Sequence, residues 1–165
     1  MRFHGLALLA GAAVLGACGG GGEKKADTTA APAATATTPA AAPAAGAVAK
    51  VAATGANHDI KMVGDDKGYR FEPADLTIKS GDAVTFTMVS GGPHNVAFDP
   101  ATVPADSKAQ LDANMDQKLS ELSSPMLMNP NEKYTISFGG VKPGSYPFHC
   151  TPHLAMGMKG TITVQ

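Results

Sequence analysis

Cys150, His153, Met156 and Met158 place a thiol, an imidazole and two thioethers within nine residues of a glycine-punctuated loop. Thiolate and thioether are soft donors that favour copper, imidazole suits both of its oxidation states, and no carboxylate lies in the run. A trigonal copper site of this kind takes two His and one Cys, with a weak axial Met. The loop offers one usable imidazole, because His149 is adjacent to Cys150 and strand alternation sends neighbours to opposite faces. A second His has to come from elsewhere in the chain.

Outside the loop and the leader, the remaining histidines are His58 and His94. His94 lies in Gly91-Gly92-Pro93-His94-Asn95-Val96, where a glycine-rich turn opens a strand and can bring an imidazole to one end of a sheet. His58 starts a strand with no supporting context and reads as a surface residue. His94 is therefore the better second imidazole. Pro93 and Pro152 stiffen the approaches to His94 and His153. Either Met156 or Met158 could be the thioether on this reading alone. A structural zinc site is disfavoured, since zinc takes N and S(Cys) donors and not Met. An exported thiol with no metal would be open to oxidation.

Short strands must position these groups. Ile60 and Met62 alternate, Tyr69 and Phe71 follow a Gly/Asp turn, and Leu76 and Ile78 precede Ser80-Gly81-Asp82. Val84, Phe86 and Met88 share one face against Thr85 and Thr87. Val96 and Phe98 alternate behind His94, and Tyr134, Ile136 and Phe138 form a further run. Tyr146, Phe148 and Cys150 come next, then Ile162 and Val164. Period-two alternation between turn residues predicts an all-β, antiparallel sandwich or barrel. Leu111, Met115, Leu119 and Leu122 recur instead at helical spacing. The segment 107–122 is thus predicted as one short inserted helix, with Ser107 and Gln110 as a capping box and Pro125 closing it. Met115, Met126 and Met128 read as core filler.

At this point the residues carry a family likeness. The chain resembles the cupredoxins, small blue copper proteins, and within them plastocyanin and pseudoazurin. Pro93-His94-Asn95-Val96 followed by Phe98-Asp99 is similar to the first-ligand segment of plastocyanin. Cys150-Thr151-Pro152-His153-Leu154-Ala155-Met156-Gly157-Met158 is similar to the ligand loop of pseudoazurin. The likeness spans residues 57–165, the helical insertion included. It implies a Greek-key β-sandwich and one type 1 copper per chain, held by His94, Cys150, His153 and Met158. An amicyanin-like shorter loop would use Met156. Plastocyanin and pseudoazurin have their Met five residues beyond the second His, and Met158-Lys159-Gly160 leads into the last strand like the segment after the plastocyanin axial Met, so the resemblance favours Met158. The resemblance also implies that the Asn95 amide stabilises the ligand loop or the Cys sulfur. His149 stands where plastocyanin has a Tyr beside its Cys, so it is either a second electron route or a plain solvent-facing residue.

Four protein ligands leave no open position for a substrate, which points to outer-sphere electron transfer and away from enzymatic activity. A copper nitrite reductase would need a second copper centre and a longer chain. The alternative is a copper carrier or storage protein, which would exchange its metal through a more open or Met-rich site. The implied partners are redox proteins such as membrane-bound cytochromes, oxidases or reaction centres, met by a monomer. They would dock on a small apolar ring around His153, formed by Gly92, Pro93, Pro152, Leu154 and Ala155. Interfaces under ~1,200 Å² suffice for such weak redox encounters.

Composition bounds the remainder. The formal net charge is −1 and tryptophan is absent, so neither a nucleic-acid surface nor a base-stacking platform is indicated. Residues 1–17 combine basic Arg2 with an apolar run over 6–15, a signal-peptide form too short to span a bilayer. Leu15-Gly16-Ala17-Cys18 resembles a bacterial lipobox, which would make Cys18 an acylated first residue anchored in a membrane. Gly19 is not the Asp associated with inner-membrane retention. Residues 18–55, rich in Ala, Pro, Thr and Gly, are expected to form a disordered linker, because so few large apolar side chains cannot offset the entropy of ordering. Residues 56–165 form the expected copper-binding domain, with nine Lys and Arg against twelve Asp and Glu. The expected location is extracytoplasmic, on a lipid leash.

Overall fold

The computed structural model describes residues 48–165. The leader over 1–17, the lipidation site Cys18 and the linker up to residue 47 lie outside the described residues. Eight strands run β1 (Asn57–Asp65), β2 (Gly68–Glu72), β3 (Asp75–Ile78), β4 (Ala83–Met88), β5 (Ala97–Phe98), β6 (Lys133–Ser137), β7 (Gly144–His149) and β8 (Lys159–Val164). They form two four-stranded sheets, β2-β1-β4-β6 and β3-β8-β7-β5. The all-β sandwich with one inserted helix is what the alternation predicts. The sheets are mixed, however, not purely antiparallel: β1 pairs with β4, and β3 with β8, in parallel. Alternation reports which face a residue occupies and is blind to strand direction.

Alternation does fix the core. Ile60 and Met62 of β1 stand beside Phe86 and Met88 of β4, and all four are buried. Tyr146 and Phe148 of β7 point inward from the other sheet. Phe148 is the hub, 4.7 Å from Phe71 and 5.5 Å from Phe86 between ring centres, both in edge-on contacts. Its ring fits because Gly160 lies opposite on β8: a Cβ there would come within 2.5 Å of the ring. Full burial of such a side chain contributes about 1.5–3 kcal/mol.

The helix α1 spans Ala105–Ala113, shorter than the predicted 107–122. It has no side-chain cap bond at its start, and the Ser107 hydroxyl instead accepts from the Lys142 amide at 3.1 Å. It ends at Asn114, whose buried side-chain amide donates to the carbonyls of Ser137 and Gly139, both at 2.9 Å. Helical spacing lapses beyond it, with Gln117 and Leu122 at positive φ. Of the methionines predicted as core filler, Met115 is buried, Met126 is half-buried and Met128 is exposed; Leu119, which keeps helical spacing, is exposed as well. Residues 122–127 run back beside the His94 segment: Leu127 and His94 exchange backbone hydrogen bonds at 2.8 and 3.1 Å, and the Phe98 amide donates to Leu122 at 2.9 Å.

Attachment to the sandwich begins before the expected boundary at residue 56. The Gln110 amide donates to the Ala49 carbonyl, Lys50 pairs with Asp116, and the Val51 amide donates to Asn114 Oδ1 at 2.9 Å. The Thr54 and Gly55 amides both donate to the Gly81 carbonyl. These residues carry only one large apolar side chain, the exposed Val51, to signal order, and backbone groups do most of the fastening.

Candidate metal centre

Period two along β7 determines where the thiol goes. Cys150 continues the inward set of Tyr146 and Phe148 and is fully buried, while His149 turns to the opposite face. His94 reaches the same end of the sandwich from the segment leading into β5, and His153 from the loop after β7. The donor atoms form a near-equilateral triangle. Cys150 Sγ lies 3.5 Å from His94 Nδ1 and 3.4 Å from His153 Nδ1, and the two Nδ1 atoms are 3.2 Å apart. Among the described residues these three are the one group of His, Cys, Asp and Glu arranged to hold a metal ion.

The surroundings prepare the donors. His94 Nε2 lies 2.8 Å from the Ser90 carbonyl and donates to it, which leaves Nδ1 as a bare lone pair aimed at the cluster. Burial pushes the titration of His94 below its ordinary value, against a smaller opposing effect of the Ser90 bond. Burial does the same to His153, assisted by the neighbouring His94. Both rings are therefore neutral around neutral pH. Burial pushes the Cys150 thiol up, so it keeps its proton until a cation displaces it. Two lone pairs and a sulfur converging without a carboxylate form a soft, one-ion donor set, and copper fits it.

Met158 is fully buried at the foot of the same loop, and Met156 is 60% exposed. The Cys150 amide donates to the Met158 carbonyl at 3.1 Å, and the Met158 amide to the His153 carbonyl at 3.2 Å, so the loop closes on itself. Asn95 ties the two donor segments together. Its Oδ1 accepts from the Thr151 amide at 2.7 Å, and its Nδ2 donates to the hydroxyls of Ser123 and Thr151. It holds the loop through Thr151, beside Cys150.

Gly92, Pro93, Pro152, Leu154 and Ala155 are all exposed around the site. His153 itself is only 6% exposed, less open than a surface ligand is expected to be. What covers it is Tyr69, stacked on the imidazole with ring centres 3.8 Å apart. Sequence reading assigned Tyr69 only to a strand after a turn, and no local signal marks it out. His58 is partly exposed and lies 2.9 Å from Asp82, away from the cluster. His149 lines a groove of about 920 Å³ with Phe98, Asp99, Glu121 and Lys159. Burial pushes its titration down, with Asp99 opposing and Lys159 assisting.

The model of the plastocyanin/azurin family of copper-binding proteins matches residues 58–165. Plastocyanin of Nostoc punctiforme is 40% identical over 121 residues, covering 72% of this chain and 81% of that protein. Chloroplastic plastocyanin of the moss Physcomitrium patens is 42% identical over 105 residues, 64% of this chain and 56% of the moss protein. The solved structure of oxidised plastocyanin from Dryopteris crassirhizoma is 35% identical, covers 65% of this chain and 99% of its own, and aligns with a TM-score of 0.46.

Proposed function

The chain belongs to the plastocyanin/azurin family of copper-binding proteins, and from that premise we propose that it is a one-electron carrier built around a single type 1 copper. His94, Cys150 and His153 would hold the copper as the strong donors, with Met158 as a weaker thioether donor. The observation that carries this reading is the buried triangle of one thiol and two imidazole nitrogens, edges 3.2–3.5 Å, at one end of a rigid sandwich.

Copper bound there would supply Cu(II)/Cu(I) chemistry. The residues contribute confinement. Cys150, His94 and Met158 are completely buried and His153 is only 6% exposed, which supports electron passage through the protein shell over chemistry on a bound reactant. The Ser90 carbonyl and the Asn95 amide hold two donor segments fixed, which keeps the geometry alike in both oxidation states. Such a site is suited to transfer and unsuited to catalysis.

The partners we propose are redox proteins of the membrane, such as cytochromes, oxidases or reaction centres, received by the exposed ring of Gly92, Pro93, Pro152, Leu154 and Ala155. The leader-like residues 1–17 and the lipobox-like run ending in Cys18 support an extracytoplasmic monomer held on a lipid leash.

Repeated reduction and reoxidation of the copper-loaded protein tests the reading against a copper carrier. An electron carrier retains one copper per chain through every cycle. Loss of the metal on reduction would contradict it.

A further inference from the structure

The two imidazoles at the metal site are restrained in different ways. His94 is pinned by a hydrogen bond from Nε2 to the Ser90 carbonyl at 2.8 Å. His153 has no such bond: among the described residues no protein acceptor pairs with its Nε2, and its Nδ1 faces the cluster. Instead the Tyr69 ring lies flat on it, with ring centres 3.8 Å apart and planes 12° from parallel. The same ring meets His94 edge-on, at 6.2 Å and 68°.

The berth for this ring is built into the backbone. Tyr69 is the second residue of β2, directly across from Gly64 of β1. A Cβ on Gly64 would fall 2.7 Å from Tyr69 Cε1 and 2.8 Å from Cδ1, so only glycine lets the ring settle between the β1 backbone and His153. Stacking acts on the face of the imidazole, whereas the Nδ1 lone pair lies in its plane. The contact therefore restricts tilting and swinging of the ring without competing for the donor atom.

We propose that Tyr69 is a positioning residue for the metal site, clamping the His153 imidazole as the Ser90 carbonyl clamps that of His94. This rests on the copper reading above. The clamp limits rearrangement of the less anchored ligand between oxidation states, and it makes the phenol ring, not the bare imidazole, the aromatic surface nearest an approaching partner.

Proton NMR of the copper-free protein tests the stack directly. The His153 ring protons are expected to be displaced upfield by the Tyr69 ring current in the wild type and in Tyr69→Phe, and to return to ordinary positions in Tyr69→Leu. In the copper-loaded protein, Tyr69→Phe is expected to keep the reduction potential and the electron self-exchange rate, while Tyr69→Leu shifts the potential and slows self-exchange severalfold. A Tyr69→Leu protein that loses thermal stability but keeps both values would overturn the proposal. So would wild-type His153 protons without an upfield displacement, a result that stands even if Tyr69→Leu does not fold. Failure of the copper reading would show separately, as a loaded protein without the visible bands of a Cys–copper bond, and leaves the NMR result interpretable.

Discussion

His94, Cys150 and His153 come from segments up to 59 residues apart, and each is oriented by a neighbour that does nothing chemical itself. Ser90 fixes a tautomer, the β7 register fixes the thiol, and Tyr69 covers the third donor. The choice between the two thioethers belongs to this scale. Met158 has no exposure and Met156 is 60% exposed, and this burial beside the donor loop supports Met158 as the proposed thioether donor. Because the axial ligand tunes the potential of such a site, Met158→Leu is expected to change the visible spectrum and the reduction potential, with Met156→Leu leaving both near wild type. Spectroscopy and voltammetry of the two variants check this, and the reverse pattern would move the axial donor to Met156. The sequence made the donor types legible because Cys, His and Met cluster in so few positions. It concealed Tyr69 and Ser90. One acts through a ring face and the other through a backbone carbonyl, and neither contact leaves a spacing or a composition to read.

At the scale of elements, period-two alternation located the strands and the inward course of Cys150, because both follow from one face being buried. Pairing direction was not legible: a strand presents the same faces whether its neighbour is parallel or antiparallel. The helix was overextended for a related reason. Leu119 and Leu122 keep helical spacing with Leu111 and Met115, yet Asn114 ends α1 by turning its amide into the end of β6. The same side chain receives the Val51 amide and the Gln110 amide, both at 2.9 Å. It thereby joins the helix, β6 and the segment entering β1. Asn114→Ala would strand the buried carbonyls of Ser137 and Gly139 and the part-buried donors of Val51 and Gln110, a loss of about 3 kcal/mol, measurable by denaturant unfolding. The visible spectrum should be unchanged, because none of these contacts reaches the metal site. A stability change near zero would show that the node is dispensable. Composition predicts linker over residues 49–55, because the order there comes from backbone hydrogen bonds and one ion pair, which composition does not encode.

For the whole molecule, the topology separates two jobs. The metal cluster gathers where β7 ends and β8 begins, while the incoming chain fastens at the Gly81 turn and beside Gly139, at the other ends of β4 and β6. A leash of the kind proposed would join the domain there and leave the exposed ring around His153 free to meet a partner. Replacing Cys18 with Ser is expected to release the protein from membranes in a fractionation experiment; unchanged membrane association would argue against acylation at that residue. The central claim, that the buried triangle of His94, Cys150 and His153 holds a blue copper, has a more direct test. The purified protein, loaded with Cu(II), should be intensely blue by visible absorption, lose that colour on reduction and regain it on oxidation, with Cys150→Ser colourless throughout. A loaded, folded wild-type protein that stays colourless in the oxidised state would contradict the account.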